Sequence, residues 1–307
     1  MPATHNPATL QADSVALRAP PDPSPARSPT PGRKARGRVH WTVTIAIVVA
    51  HLGALLALLP AFFTWKALLT AVVLQFVCGL GVTVGYHRLL AHRSFKARKP
   101  LEYVLSWLGS LNLQGGPIKW VATHRLHHQH SDDDEDPHTP RHGFFWAHTL
   151  WCCTYDPQWD AYEQYSRYAR DLTRDRGHVF IEKTNSLWTL VLAGLLYLWG
   201  GWPCVIWGVF LRLIYVYHGT WFVNSASHTW GYRRYDTGDG SRNLWWLALI
   251  SLGEGWHNNH HAYPRSARHG LRFWELDVSW LTIRLLALLR LARDVRVPTL
   301  ASDRGMA

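Results

Sequence analysis

The stretch WTVTIAIVVAHLGALLALL, residues 41–59, carries no formal charge, is interrupted only by His51 and ends at Pro60. As a helix it is long enough to cross the hydrocarbon core of a bilayer. A second run, ALLTAVVLQFVCGLGVTVGY (67–86), follows a turn containing Pro60 and Lys66, so the two read as a membrane hairpin. SLWTLVLAGLLYLWGGW (186–202) and PCVIWGVFLRLIYVYHGTW (203–221) read as another. The GGWP junction supplies its tight turn, aromatics flank that turn at an interface, and Arg212 is the one cation inside.

The mean hydropathy of −0.12 resembles that of a soluble protein, because polar regions dilute the apolar runs. Buried helices of a water-soluble all-α protein are the competing reading. Segments of this length arriving as two hairpins disfavour it. Residues 41–59 do not fit a cleavable signal either: forty residues precede them, the run is long for an h-region, and no obvious cleavage site is present.

Charge orients the chain. Arg27, Arg33, Lys34, Arg36 and Arg38 precede the first span, and Arg88, Arg93, Lys96, Arg98 and Lys99 follow the second. The positive-inside rule places both flanks in the cytoplasm. The expected fold is therefore an all-α integral membrane protein with four transmembrane helices in two hairpins (about 41–59, 67–86, 186–202 and 203–221). A cytoplasmic helical cap, 87–185 and 222–296, would carry the histidines. Both termini would be cytoplasmic. Residues 1–38, rich in Pro, Ala, Ser and Arg, are expected to be a disordered leader, with 39–296 the membrane domain and 297–307 a tail. The net charge of +11 suits a face lying against anionic lipid; because the basic residues hug the spans, nucleic acid is not expected as a partner. The four cysteines form no CxxC pattern, which excludes a disulfide framework or thiolate cluster and suits a reducing cytoplasmic face.

Histidine is the ligand type present in quantity, with 19 copies. The stretch HRLHHQHSDDDEDPHTP (124–140) alone holds five histidines and five acidic residues. Three groups stand out: His87 and His92 in HRLLAH, His124, His127 and His128 in HRLHH, and His257, His260 and His261 in HNNHH. On a helix, positions i, i+3 and i+4 share a face, so each HxxHH is expected to aim three neutral ligands into one volume. His87 and His92 sit about 140° apart on an ideal helix, so they should serve different metal ions or straddle a helix end. Eight clustered imidazoles exceed the needs of one ion and imply two. Imidazole alone permits Zn, Cu, Fe or Ni.

GYHRLLAHRSF, HRLHHQHSDDDEDPH, NSASHTWG and GEGWHNNHHAYP, in that order and among two hairpins, resemble the membrane fatty acyl desaturases of the stearoyl, Δ9 type. The similarity covers about residues 41–296. It implies two iron ions held by His87, His92, His124, His127, His128, His228, His257, His260 and His261, with Asn224 approaching one iron through water. His228 is nominated by the resemblance alone. Trp120 and Trp221 match positions beside the acyl tunnel, and Asp136 lies in the shared DPH element, where it would orient a ligand imidazole. The implied reaction is O2-dependent: an unactivated methylene has no acidic proton, so a metal that activates O2 is needed to form a cis alkene.

The resemblance implies a fatty acyl substrate, as CoA thioester or lipid-bound acyl. Animal acyl-CoA members carry an Arg-Asp pair just before HRxHH, where this chain has Ala122 and Thr123. QGGPIKW upstream is similar to bacterial and cyanobacterial members, some acting on lipid-bound chains, so thioester or glycerolipid stays open; a bacterial inner membrane is the expected location. No cytochrome b5 domain is visible, so a separate electron donor of ferredoxin, rubredoxin or cytochrome b5 type is expected.

His130, His138, His142, His148, His178, His218 and His269 are expected to make surface or structural contacts. Asp132, Asp133, Asp134, Glu135 and Asp136 read mostly as a solvated acidic face. A soluble carboxylate di-iron reading would use Glu135 with His138 and Glu254 with His257; Pro137 and Gly255 inside those pairs exclude it. A hydroxylase on the same scaffold and a non-enzymatic metal-binding membrane protein are the alternatives. The second would place its histidines within the spans.

Overall fold

The computed structural model describes residues 37–299, except the side chain of Gln158. The chain is mostly helical. Helix α1 (Trp41–Leu55) runs on through a tighter turn at Leu56–Leu58, and Pro60 begins the reversal. Thr64 opens α2 (Trp65–Leu80) by accepting the Ala67 N–H at 3.0 Å, the capping that a helix start leaves to a hydroxyl. Without a break, α2 widens into a π-helix over Gly81–Ala91. Then come α3 (Lys99–Ser110) and α4 (Pro117–Gln129), each with proline in its first turn, where a missing N–H costs nothing.

Asp175 caps α5 (Arg176–Val205), which passes through a π-turn at Ile206–Leu211 into α6 (Arg212–Ser225). The short helices α7 (Trp245–Ile250) and α8 (His257–Ala262) precede α9 (Val278–Leu288). Two small antiparallel ladders pin the ends. β1 (Arg38–Val39) pairs with β3 (Thr154–Tyr155), and β2 (Lys96–Ala97) pairs with β4 (Ala292–Arg293). Arg38, assigned by composition to the leader, thus belongs to the folded part. Residues 1–36 and 300–307 of the expected leader and tail lie outside the described residues.

Three helices among the described residues are long and apolar enough to cross a membrane: Trp41–Leu58, Trp65–Ala91 and Arg176–His228. Their outward side chains are large and apolar, with Leu52, Leu69, Leu190 and Leu198 all exposed. The third, at 53 residues, is far longer than one crossing requires. It is broken where the sequence reads GGWP: Gly200 (φ −159°, ψ 22°) and Gly201 (φ 66°, ψ −161°) leave helical geometry before Pro203. Gly201 alone there takes a left-handed φ, which a Cβ would strain.

The apolar helices meet in one cluster containing Ala50, Ala67, Leu196, Cys204, Val209, Leu213 and Tyr217. A second cluster, with Val84, Tyr86, Phe95, Leu105, Ile118, Val121 and Ile283, lies around the π-helix. Close approach of backbones joins the π-helix to α3. A Cβ on Gly81 would fall 2.2 Å from the Gly109 nitrogen. Arg125 clamps the far end, donating to the Leu90 and Ala91 carbonyls at 2.7 and 3.2 Å while pairing with Asp171 at 2.7 Å.

Arg212 is a cation inside an apolar run, and the fold accounts for it. Its guanidinium is buried and donates to Gly208 O, Asn112 Oδ1 and Leu111 O at 2.9, 2.8 and 2.7 Å. A charge in apolar surroundings persists when its donors are satisfied. Arg212→Leu would strand the Asn112 and Leu111 oxygens and should cost about 3 kcal/mol. Thermal unfolding of the purified protein in detergent should show a clear fall in midpoint; an unchanged midpoint would contradict this role.

Candidate metal centre

The π-helix decides how the first histidine pair is used. A π-turn closes i to i+5, and the His92 N–H donates to the His87 carbonyl at 3.0 Å. The widened turn, ending at His92, brings the two rings to 4.8 Å between centroids. Both belong to one group, which favours the helix-end alternative over service to different ions.

The HxxHH boxes are also used differently from a single three-ligand face. Nine histidines form two groups whose ligand atoms lie within 4.8 Å of one another: His87, His92, His124, His128 and His260, and beside them His127, His228, His257 and His261. In α4, His124 and His128 are one turn apart and join the first group, whereas His127 points into the second. In α8, His260 joins the first and His257 with His261 the second. Each box therefore links both groups. Spacing fixed which residues share a helix side, but the partition follows from docking α8 against α4.

The two asparagines in HNNHH hold that docking. Asn258 Oδ1 accepts the Arg234 and Tyr235 N–H groups at 2.7 and 2.8 Å. Asn259 Nδ2 donates to His269 O and Glu275 Oε2 at 2.9 and 2.8 Å. A two-turn helix too short to be stable alone is thus tied down on its outer side.

Four carboxylates orient four rings. Glu254 meets His87 Nδ1 at 2.6 Å, Asp136 meets His127 Nδ1 at 2.8 Å, Asp132 meets His228 Nδ1 at 2.9 Å and Asp239 meets His261 Nδ1 at 2.7 Å. These contacts leave Nε2 facing inward. The acidic run is thus divided: Asp132 and Asp136 are buried and turned to histidines, while Asp133 and Glu135 are exposed. Asp239 and Glu254 were not foreseen in this role. Asp239 lies on a loop with no spacing signal, and Glu254 was weighed only as a partner of His257.

Electrostatics favours the neutral form in most of the core of the cluster. Burial, reinforced by neighbouring imidazoles, holds His124, His128, His257 and His260 well below the ordinary imidazole range. Burial likewise disfavours charge on His127, but Asp136 outweighs it and lifts that ring above the usual value. Burial would raise Asp136, yet His127 and His138 hold it below the usual carboxylate range.

The fit to a cation is visible in the nitrogen contacts. Asp136 and Asp239 engage Nδ1 of His127 and His261, and the two Nε2 atoms face each other at 3.4 Å. His260 Nε2 is likewise 3.1 Å from His87 Nε2 and 2.9 Å from His128 Nε2. Imidazole nitrogens this close cannot all carry protons, and lone pairs left facing one another repel. A transition-metal ion between them removes the repulsion, and imidazole suits such an ion.

A cavity of about 80 Å³ opens beside these rings, with Trp120, His124, His127, Asn224 and His257 in its wall and Val82, Val216, Val223 and Leu252 among its apolar lining. Trp120 stacks on His124 (5.1 Å, 24°) and donates to Gln114 Oε1 at 3.2 Å; Gln114 in turn donates to Thr220 Oγ1 at 2.8 Å. Trp221 lies outside that lining, buried against Tyr217, His148 and His218. His148 bonds Ser225 and His218, and His218 reaches His51, at 3.0, 3.0 and 3.2 Å; His178 meets Glu102. His138 stands 4.5 Å from the His127 ring, pushed down to about 3 by burial, and His269 packs 4.4 Å from His260.

Asp239→Asn retains shape but removes the charge that orients His261. Metal-competition titration of the purified protein should show affinity about 10–100-fold weaker, with the exposed Asp133→Asn unchanged. Equal affinities in the two variants would contradict the assigned role of Asp239.

Residues 63–281 match the family model for fatty acid desaturase. The chain is 47% identical to the sn-1 stearoyl-lipid 9-desaturase of Anabaena variabilis, over 85% of this chain and 95% of that protein. It is 48% identical to the enzyme of that name from Synechocystis (84% and 80% covered) and 48% identical to the sn-2 palmitoyl-lipid 9-desaturase of Nostoc (86% and 93% covered). A match over most of its length, together with relatives at nearly half identity, establishes that this chain belongs to the fatty acid desaturase family.

Proposed function

We infer that this chain is an O2-dependent fatty acyl desaturase that introduces a cis double bond, at Δ9, into a saturated lipid-bound acyl chain. The observation that carries this reading is the pair of adjacent all-imidazole groups opening onto a largely apolar cavity. One iron is assigned to His87, His92, His124, His128 and His260. The other is assigned to His127, His228, His257 and His261, with Asn224 approaching through water. Iron bound there supplies the redox chemistry with O2 that breaks unactivated C–H bonds.

The overall change is a saturated chain, O2, two electrons and two protons converted to an alkene and two waters. The electrons come from a separate ferredoxin-, rubredoxin- or cytochrome b5-type donor. The protein's own contribution is position. Val82, Val216, Val223 and Leu252 take up methylenes, and the Trp120–Gln114–Thr220 chain fixes the wall that sets which carbons stop beside His124, His127 and His257. Trp221 is proposed to line the approach to that wall. Asp136 acts through His127, by keeping its ring turned inward. The family members named as acting on lipid-bound chains support that acyl carrier.

The membrane layout proposed is four spans in two hairpins, the second divided at Gly200 and Gly201. Residues 87–185 and 222–296 form the cytoplasmic cap, with both termini on the same side of a bacterial inner membrane. The basic flanks of the first hairpin support this orientation.

Expression in a desaturase-deficient host should yield a monounsaturated fatty acid, and His127→Ala should abolish it. Gas chromatography with mass spectrometry identifies the product. A hydroxylated chain, or no alkene with iron and an electron donor present, would overturn the reading.

A further inference from the structure

Facing away from the histidines, α4 borders a second cavity of about 110 Å³, to which it contributes Ala122, Thr123 and Leu126. Five carboxylates, among them Asp134, Glu135 and Asp160, and five aromatic rings, among them Trp151 and Trp159, complete much of the lining. No lysine or arginine among the described residues lines it. Asp136 is committed to His127 and Asp160 is paired with Lys119 at 3.0 Å, while Asp134 and Glu135 by themselves leave the wall negative.

Position gives this cavity a meaning. Gly37 and Thr154, at the β1–β3 ladder just before the first span, contribute to it, which sets it at the level of lipid headgroups. Neighbouring side chains link it to the metal-side cavity. Trp151 is in its wall, the next residue, Cys152, contacts Trp221, and Trp221 follows Thr220 of the metal-side lining.

We propose that this cavity holds the headgroup of the lipid whose acyl chain is desaturated, and that it selects a headgroup bearing an ammonium group. This rests on the reading of the substrate as a lipid-bound acyl chain. Aromatic faces together with carboxylates are the surroundings that stabilise an ammonium ion. The same carboxylates repel the several phosphate charges of coenzyme A, and an anionic headgroup likewise. Trp146 Nε1, Trp151 Nε1 and His142 Nε2 are buried without partners among the described residues, and phosphate or ester oxygens of the same lipid would satisfy them.

The test uses the full-length, iron-loaded protein in a polyoxyethylene detergent, with dioctanoyl phosphatidylcholine, dioctanoyl phosphatidylglycerol and octanoyl-CoA as probes. The choline lipid is expected to bind about tenfold more tightly than either other probe. D134N/E135Q and, separately, W159L should each weaken choline-lipid binding about threefold or more while iron content stays at wild type, and D134N/E135Q should raise phosphatidylglycerol affinity by relieving its repulsion. Equal or tighter binding of phosphatidylglycerol or octanoyl-CoA overturns the proposal, as does unchanged choline-lipid affinity in both variants. Alkene yield in the expressing cells separates the two readings. Ammonium selectivity without alkene would sink the desaturase assignment and leave the headgroup site standing; alkene without selectivity would sink only the site.

Discussion

Nine imidazoles turned toward one another in a buried volume are the constraint on which the rest of this fold depends. Neutral nitrogens with facing lone pairs repel, so the site has to be assembled by interactions outside it. Carboxylates hold His87, His127, His228 and His261 from behind, and those carboxylates are held in turn. Asp136 accepts the backbone N–H groups of Asp132 and His138; Asp239 accepts from Ser241 N and Thr237 Oγ1. Arg88, wholly buried, pairs with Glu254 and Asp277 and donates to Ala267 O. The result is an anionic shell around a cluster of imidazoles, which suits divalent cations at its centre.

The membrane helices contribute more than anchorage. Helix α2 emerges from the apolar layer and, by widening into a π-helix, delivers His87 and His92 to one group. Helix α6 brings Thr220 and Asn224 to the cavity and ends just before His228. Rigid helices thus set the cavity wall and the ligands in one frame, which is what selecting a single carbon pair on a featureless chain requires. Arg212, tied to Asn112 and Leu111, fixes α6 against the loop that carries Gln114 and so the Trp120 wall.

Much of this was legible in the sequence because lipid is a demanding solvent. Uncharged runs of membrane length can do little else, and GGWP is broken in the structure where composition placed a turn. The spacing of HRLHH and HNNHH identified histidines that the fold does cluster, whereas His228 needed the resemblance to be noticed. Less legible was the division of labour. Ideal helix geometry separated His87 from His92 because a π-turn is invisible to a 3.6-residue count. It also gave each HxxHH to one volume, whereas the packing of α8 on α4 divides them between two. Asp239 and Glu254 carry no local signal for a role set by distant contacts. In the acidic run, Asp132 and Asp136 differ from Asp133 and Glu135 only by the direction in which one loop turns them.

The central claim is that these two histidine groups hold a pair of irons that work together. Mössbauer spectroscopy of the full-length protein loaded with iron-57, with total metal measured on the same sample, addresses it directly. Two irons per chain in nitrogen-rich sites, both lost on replacing His128 and His261, is the predicted result. One iron per chain, or another metal occupying the sites while desaturation is retained, would contradict the account.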